Sequence, residues 1–209
     1  MPAGVTSPET APAAKKGTLL VTGFGPFLDV TDNVSGLLAG SIALHHPTYR
    51  GHRVEATVLP VTYAEAERFA LDVSTRDDVV AWLAFGVART DTVRLECQAR
   101  NTIRSRAPDA AGVVLDGEVL IDGAQSLLTT SLPLDQWSAL LDDAGQRVVT
   151  SIDPGGYICN ALYFRMLTVA RDRYPAIFIH IPAATTAQNL PRLRRLAVQV
   201  MAQLTATVV

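Results

Sequence analysis

A glycine-rich turn in the last third of the chain leads directly into an apolar segment with helical spacing, and a cysteine lies where the two meet. The turn is Pro154-Gly155-Gly156, and Cys159 follows it at the predicted start of the helix. A helix N-terminus carries unpaired N–H groups and a partial positive charge, which favour a thiolate and can bind a developing oxyanion. This stretch could therefore supply a nucleophile. The alternative is that Cys159 is a small buried hydrophobic residue, as many free cysteines are.

Two phenylalanines lie on a second glycine-rich turn, directly after the first predicted strand. Phe24 and Phe27 belong to the segment Gly23-Phe24-Gly25-Pro26-Phe27, in which two glycines and a proline favour a turn. The two rings either fill the core below the loop or form an apolar slot for a flat ligand. Their position alone leaves both interpretations open.

A histidine interrupts an apolar run that predicts a further buried strand. His180 lies in the run Ala176–Ile181, where a histidine is more often a hydrogen-bonded core residue than a base. In open α/β sheets, however, functional groups gather at the carboxyl ends of the strands. If the strands that lead to Phe24, Cys159 and His180 are parallel, we expect all three residues at one edge of the sheet. That placement favours a Cys–His pair.

Predicted strands and helices alternate along the chain, which is typical of an open α/β sheet. The predicted fold class is a three-layer α/β/α sandwich, with an open mixed, mostly parallel sheet, helices on both faces and a β-hairpin excursion. The predicted strands are Thr18–Thr22, Arg53–Leu59, Val79–Phe85, Val93–Arg100, Arg147–Ile152 and Ala176–Ile181, with a short extended piece at Leu127–Pro133. The predicted helices are Asn33–His45, Tyr63–Val73, Leu134–Ala144 with Gly145 as its C-cap, Cys159 to about Arg173, and one that begins at Pro191. On the first helix, Val34, Leu37, Leu38 and Ile42 are expected on one apolar face.

Two patterns in the middle of the chain predict β-structure. Val93–Arg100 alternates strictly between apolar and polar residues, so the pattern alone favours Glu96 as a solvent-facing strand residue. Further on, Asp116-Gly117 separates two apolar runs. This predicts a hairpin over Val113–Leu120 with a type I′ turn.

The composition limits the class of protein. The 209 residues suit one domain, which we expect at 17–209, after an Ala- and Pro-rich tail at 1–16 that is predicted to be disordered. A formal net charge of −2 does not suggest binding to nucleic acid or to an acidic membrane surface. No segment is apolar and long enough to span a membrane.

The cysteine and histidine positions exclude several kinds of site. Cys97 and Cys159 are the two cysteines and form no CxxC pair, which excludes a disulfide framework and a cysteine-rich zinc site. This usage fits a reducing compartment and predicts a cytoplasmic protein. His45, His46 and His52 lack metal-ligand spacing and are predicted to be surface residues around a loop. We infer no metal and no cofactor.

Three motifs resemble the signatures of a known family of cysteine peptidases, the pyrrolidone-carboxylate peptidases (pyroglutamyl peptidase I). They are Leu20–Phe27, Gly155–Asn160 and Phe178–Pro182, within a resemblance that runs from about residue 18 to the C-terminus. The resemblance implies a mixed sheet between helices and an enzyme that removes an N-terminal pyroglutamyl residue from peptides. It also implies a peptide or small amide substrate, and a dimer or tetramer of identical chains.

The resemblance further implies a role for individual residues. Cys159 is expected as nucleophile, His180 as general base and then acid, Glu96 as the group that orients the histidine, and Arg106 as support for the thiolate or oxyanion. The expected substrate-binding residues are Phe24 and Phe27, which would sandwich the lactam ring, with Tyr157 and Ile158 beside them and Val87 in the pocket loop.

The sequence departs from the family pattern mainly around the expected pocket. Leu28 and Asp29 replace two glycines, and the run Gly86–Arg89 is shorter than its family counterpart and has Val87 instead of a pocket glutamine. Alternatives are therefore a cysteine amidohydrolase of the same fold that acts on another small cyclic amide or N-terminal cap, and a silent ligand-binding homologue. A nucleotide-binding module is weakly supported, because Pro26 lacks the N–H that a phosphate loop needs.

Overall fold

The computed structural model describes residues 16–27, 30–141 and 147–207. The strands are β1 (Thr18–Phe24), β2 (Thr48–Tyr49), β3 (His52–Leu59), β4 (Val79–Ala88), β5 (Val93–Glu96), β6 (Gln98–Arg100), β7 (Leu127–Thr129), β8 (Val148–Ser151) and β9 (Ala176–Pro182). The helices are α1 (Val34–His45), α2 (Tyr63–Ser74), α3 (Leu134–Leu141), α4 (Ile158–Ala170) and α5 (Leu190–Ala206), with a 3₁₀ turn at Ala187–Asn189.

Seven of these strands form one mixed sheet in the order β2-β3-β1-β4-β9-β5-β8. The four central strands β3, β1, β4 and β9 are parallel, whereas β5 runs antiparallel to β9 and carries β8 parallel to itself. One apolar cluster joins the sheet to α1, α3 and α5, and a second joins it to α2 and α4. The predicted three-layer α/β fold with a mixed, mostly parallel sheet is thus confirmed.

The remaining two strands pair with each other and begin and end a long excursion from the sheet, residues 98–129. β6 and β7 are antiparallel, and Ala99 faces Leu128 in this pair. The hairpin predicted over Val113–Leu120 is wrong. Its turn exists, because Glu118 N donates to Leu115 O, but only Gly117 has a positive φ and a type I′ turn needs two such residues. After the turn, the chain pairs with residues 101–103 instead of with Val113–Leu115.

The structure corrects two further expectations about strands. The alternating run Val93–Arg100 is not one strand, because Cys97 N still bonds to Ser151 O of β8 while Cys97 O already accepts from Thr130 N beyond β7. The chain therefore changes sheets at Cys97. β4 does not stop at Gly86 but continues to Ala88 alongside β9.

The burial of two residues differs from our prediction. His52 is only 5% exposed, because β3 begins at this residue and its Nδ1 accepts a hydrogen bond from Gly17 N. Leu37 is 42% exposed, since the buried face of α1 is centred on Ser35, Ala39 and Ile42.

Some expectations fall on parts of the chain outside the described residues. They are the tail up to residue 15, the substituted positions Leu28 and Asp29, and the end of the third helix with its C-cap at Gly145. The division into a tail and one domain stays a prediction. Among the described residues, no helix combines the length and the apolar character that crossing a membrane requires.

Close packing of α1 on β1 fixes the start of the Phe24 loop. Asn33 caps α1 by accepting a hydrogen bond from Ser35 N, and Ser35 Oγ accepts from Phe24 N at 3.0 Å. Gly23 and Gly36 lie at the contact, where a Cβ on either would overlap main-chain atoms of the other segment. The start of the Phe24 loop is therefore fixed by hydrogen bonds and by the close packing that Gly23 and Gly36 allow.

We predict that Gly36→Ala destabilises the protein while Gly40→Ala, one turn later on the same helix, does not. A Cβ at Gly36 would overlap the Phe24 carbonyl, and overpacking of this kind costs about 1–3 kcal/mol. A Cβ at Gly40 meets nothing within 4 Å, so the helix propensity of alanine should stabilise the fold by about 0.5–1 kcal/mol. Urea unfolding of both variants measures the difference. Equal stabilities would contradict the packing described here.

Candidate active site

Three residues that are distant in the sequence meet beside the carboxyl end of β9. Cys159 is the second residue of α4, His180 lies in β9, and Glu96 is the last residue of β5. His180 Nδ1 is 2.7 Å from Glu96 Oε1. The imidazole also interacts with the Cys159 side chain. Since Glu96 occupies Nδ1, Nε2 is the nitrogen left for the thiol.

Strand pairing brings the histidine and the glutamate together. His180 pairs with Arg94 of β5, so Glu96 lies two residues further along the neighbouring strand and on the same face of the sheet. On its other side His180 pairs with Gly86 of β4. The Cys159 sulfur packs against Gly86, 2.8 Å from where a Cβ on that glycine would stand. The glycine thus leaves room for the thiol above the sheet.

The expected parallel arrangement is correct for only two of the three strands. β1 and β9 run in the same direction, so Phe24 and His180 reach the same edge. β8 runs the opposite way, because it is parallel to β5 and β5 is antiparallel to β9. Residues 152–157 nevertheless return the chain to this edge before α4 begins at Ile158, which brings Cys159 to the other groups.

Glu96 is fully buried, which contradicts the solvent-facing position that the alternating pattern favoured. The chain leaves the main sheet directly after Glu96, and α4 covers this point, where Tyr163 donates a hydrogen bond to the Glu96 carbonyl. Glu96 Oε2 has no hydrogen-bond partner among the residues that the structure describes. A buried carboxylate oxygen without a partner opposes folding, and such groups concentrate where function requires them.

The environment of His180 favours its protonated form. Burial alone lowers the pKa of His180, but the charge of Cys159 and its hydrogen bond, together with Glu96, outweigh burial and raise the pKa to about 9. The ring also lies 5.0 Å from that of Phe178, so it is fixed between apolar and charged neighbours. At neutral pH the geometry therefore supports an imidazolium beside the sulfur.

A small apolar cavity of about 150 Å³ opens directly at the sulfur. It is lined by Cys159, by all five expected substrate-binding residues (Phe24, Phe27, Val87, Tyr157 and Ile158), and by Val30, Asn33 and Val61. A cavity of about this volume accommodates a single six-membered ring. The structure thus brings the predicted pocket residues together around the cysteine.

Polar side chains of the cavity wall are already engaged elsewhere. Asn33 Nδ2 donates to Gly25 O, and its Oδ1 accepts from Ser35. The Tyr157 hydroxyl donates to Pro108 O at 2.7 Å, and the Tyr157 ring stacks at a tilt against Phe27 with 6.0 Å between centroids. A polar ligand in this cavity would therefore depend mainly on main-chain groups.

The start of α4 offers such main-chain groups. Its first intrahelical bond runs from Ala161 N to Tyr157 O. The N–H groups of Ile158, Cys159 and Asn160 precede that bond and have no partner within the helix. One of them belongs to Cys159 itself, so the start of α4 can offer N–H donors to an oxyanion that forms at the sulfur.

The structure does not bring Arg106 to the thiol, contrary to the expectation from the resemblance. Its side chain is 94% exposed, and its Nε donates to Asp116 at 3.2 Å. The guanidinium therefore lies in solvent. Within the part of the chain that the structure describes, no group of three or more His, Cys, Asp or Glu side chains could hold a metal ion.

Sequence reasoning missed three residues around this site. Asn160 is fully buried and bonds to the main chain of Arg100, Tyr163 bonds to the main chain of Glu96, and Gly86 makes room for the sulfur. The only local signal was the position of Asn160 and Tyr163 on the same helix as Cys159. The predicted strand Val79–Phe85 ends just before Gly86, so the pattern assigns this glycine no role.

Comparison with known proteins decides the family. The family model described as pyroglutamyl peptidase matches residues 17–196. The chain belongs to the pyroglutamyl peptidase family. A pyrrolidone-carboxylate peptidase of Saccharolobus islandicus is 31% identical over 168 residues, which cover 79% of this chain and 79% of that protein. One from Clavibacter michiganensis is 30% identical over 203 residues, covering 91% and 92% of the two chains.

Solved structures with related names share the fold. Pyroglutamyl peptidase I of Bacillus amyloliquefaciens superposes with a TM-score of 0.80 at 20% identity, over 91% of this chain and 98% of that one. The pyrrolidone carboxyl peptidase of Thermococcus litoralis gives 0.77 at 22% identity, over 91% and 94%. As a member of this family of cysteine peptidases, the chain has the expected α/β architecture. Val87, near the end of β4, lies in the cavity wall.

We predict that Gly86→Ala lowers the rate at which iodoacetamide alkylates Cys159 by about tenfold or more. The added Cβ would lie 2.8 Å from Sγ and 2.9 Å from Phe178 Cζ, so it must displace the thiol or the Phe178 ring that packs against His180. Peptide mass spectrometry measures the rate, with Gly40→Ala as the control for an added methyl group in open space. Unchanged alkylation in Gly86→Ala would contradict the contact.

Proposed function

We propose that this member of the pyroglutamyl peptidase family removes N-terminal pyroglutamyl residues from peptides, with Cys159 as nucleophile. One observation carries the proposal: the Cys159 sulfur is at once the partner of the Glu96–His180 pair and part of the wall of a cavity sized for one small ring. A ring bound there has its exocyclic carbonyl next to the sulfur. The peptide beyond that carbonyl extends toward solvent.

In the proposed acylation step, the Cys159 thiolate attacks the carbonyl carbon of the amide that follows the lactam ring. The carbonyl oxygen becomes negative, and the free N–H groups at the start of α4 stabilise it. Each such donor commonly contributes about 10²–10³ in rate. The tetrahedral intermediate collapses when the His180 imidazolium donates its proton to the leaving amine. The products are a thioester on Cys159 and a peptide shortened by one residue.

In the proposed deacylation step, the now neutral His180 removes a proton from water, which attacks the thioester. Free pyroglutamate leaves, and the thiolate–imidazolium pair is restored. Glu96 accepts a hydrogen bond from Nδ1 throughout, which keeps Nε2 directed at the sulfur and stabilises the imidazolium. Glu96 is thus proposed to orient the base without exchanging protons.

The apolar lining supports a neutral ligand for this cavity. A lactam has no charged group, so stacking on Phe24, Phe27 and Tyr157 together with main-chain hydrogen bonds can bind it. A free amino terminus would have to leave its charge unpaired in the same place. Assembly into a homo-oligomer and a cytoplasmic location, both expected from the sequence, stay predictions.

We predict that Cys159→Ala abolishes release of a fluorescent amine from its pyroglutamyl amide. His180→Ala should lower kcat/KM by about 10³-fold or more, and Glu96→Gln by about 10²-fold, since general acid–base groups contribute about 10²–10⁴ each. Thermal unfolding of each variant shows whether the fold survives. Equal loss of folding in all three variants would indicate a structural cluster in place of an active site.

The pH profile provides a separate prediction. Because the His180 pKa is raised to about 9, the imidazolium that protonates the leaving group persists through neutral pH and is lost as the pH rises further. We therefore expect kcat/KM to fall on the alkaline side with an apparent pKa near 9. In Glu96→Gln the imidazolium loses the carboxylate, so this alkaline limb should move to lower pH. An alkaline limb near the ordinary histidine pKa in the wild type would contradict the ion-pair geometry.

A second candidate activity follows from the apolar cavity wall. If wild-type protein is folded and its Cys159 reacts with iodoacetamide, but no pyroglutamyl amide is cleaved, the substrate is another small cyclic amide or N-terminal cap. Val87→Gln then tests the pocket directly. An increase in pyroglutamyl activity in this variant would show that the change of lining at Val87 altered the substrate.

A further inference from the structure

Helix α4 holds the segment that contains Glu96 at two points. The Tyr163 hydroxyl donates to the Glu96 carbonyl at 2.7 Å, and both residues are fully buried. Three residues earlier, Asn160 accepts a hydrogen bond from Arg100 N at 2.8 Å and donates to Arg100 O at 2.9 Å. Side chains of one helix therefore bind the main chain at the end of β5 and again at the end of β6.

Tyr163 lies one helical turn after Cys159, so the two side chains share a face of α4. A helical turn is a rigid spacer between Tyr163, which bonds to Glu96 at the end of β5, and Cys159, whose sulfur packs against Gly86 of β4. Thr130, which interacts with the Tyr163 side chain, donates its N–H to Cys97 O. The surroundings of the hydroxyl thus come from α4 and from the chain that follows β7.

We propose that Tyr163 is a positioning residue: its hydrogen bond to the Glu96 main chain sets the distance between the Glu96 carboxylate and His180, and α4 thereby places the nucleophile and the third member of its triad together. This inference rests on the roles proposed for Cys159, His180 and Glu96. It adds a residue that does not line the substrate cavity. Its ring packs against Phe178, a contact that Tyr163→Phe keeps, and its hydroxyl acts through Glu96.

The surroundings of Glu96 explain why its main chain needs such a restraint. Only one carboxylate oxygen has a partner among the described residues, and that partner is His180. A buried carboxylate with one hydrogen bond gains by rotating or shifting toward any polar group or water that becomes accessible. Glu96 also stands at the residue before the chain changes sheets, where the regular strand pairing ends. The Tyr163 hydroxyl restrains this point.

The charged and titratable groups that surround the imidazole come from each element packed against it. Cys159 of α4 and Glu96 of β5 act on it directly. Arg94 is its cross-strand neighbour on β5, Gly86 of β4 contributes no side chain, and Phe178 of β9 contributes an apolar ring. A displacement of Glu96 therefore removes the carboxylate that stabilises the imidazolium, and the remaining pair must shift its titration to lower pH.

The test compares Tyr163→Phe with the wild type. The ring and its packing remain in this variant, and only the hydroxyl is lost. We expect kcat for the pyroglutamyl amide to fall roughly 3- to 10-fold with KM changed less than about twofold, because one neutral hydrogen bond is removed. The alkaline limb of kcat/KM should move to lower pH, in the direction of Glu96→Gln but by a smaller amount.

The pH dependence of alkylation gives a readout that does not depend on the substrate. Trypsin separates the two cysteines into the peptides 95–100 and 148–165, so the rate at Cys159 is measured by itself. If the wild type cleaves no pyroglutamyl amide, the proposed substrate fails. The alkylation profile of Tyr163→Phe still tests the positioning role in that case.

Thr22→Val is the matched control. It removes another buried side-chain hydrogen bond, from Trp82 Nε1 to Thr22 Oγ1, that is not connected to Glu96. Both variants should unfold at a lower temperature, but only Tyr163→Phe should shift the two pH profiles. Tyr163→Phe profiles that coincide with the wild type, or an equal shift in Thr22→Val, would overturn the proposal and leave Tyr163 as an ordinary core residue.

Discussion

The hydrogen bond between His180 and Glu96 is the interaction on which the rest of the site depends. A fully buried carboxylate is costly to fold, and here it has a single partner for one of its oxygens. This unfavourable burial occurs where two neighbouring strands place His180 and Glu96 on the same face of the sheet. Burial lowers the pKa of His180, but Cys159 and then Glu96 raise it to about 9, which favours an imidazolium beside the cysteine at neutral pH.

The sheet and α4 divide the work of building the site. The sheet supplies His180, Glu96 and the bare surface of Gly86, on which the sulfur rests. Helix α4 supplies Cys159, the free N–H groups at its start, and the side chains of Asn160 and Tyr163 that bind the main chain at the edge of the excursion. Because the nucleophile and these anchors belong to one helix, an error in the placement of α4 would disturb them together.

The sequence predicted the local features well and the long-range ones only through family resemblance. The turn at Gly155, the cap at Asn33 and the cysteine at a helix start are determined by neighbouring residues, and each was found where expected. The turn predicted from Gly23 begins later, because β1 continues to Phe24. Glu96 shows the limit of this reasoning. The alternating pattern predicted a solvent-facing Glu96 side chain, because such a pattern shows which face of a strand a residue occupies. It cannot show that a helix about 60 residues further along the chain covers that face.

Other misassignments have the same physical origin. The turn at Asp116-Gly117 is real, but its partner strand comes from residues 101–103, a pairing that no local pattern encodes. Arg106 was assigned by motif alone, and the excursion turns it toward Asp116 and solvent. The sequence pattern assigns Tyr163 and Asn160 only to a helix. It cannot show their hydrogen bonds, because the partners belong to other parts of the chain.

The most direct test of the central claim is to capture the covalent intermediate. Wild-type protein is mixed with an activated pyroglutamyl ester, quenched in acid within milliseconds to seconds, digested with pepsin at low pH and analysed by mass spectrometry. The account predicts a pyroglutamyl thioester on the peptide that contains Cys159, and a larger amount of it in His180→Ala, where deacylation lacks its base. Turnover without any adduct, or an adduct on Cys97, would contradict it.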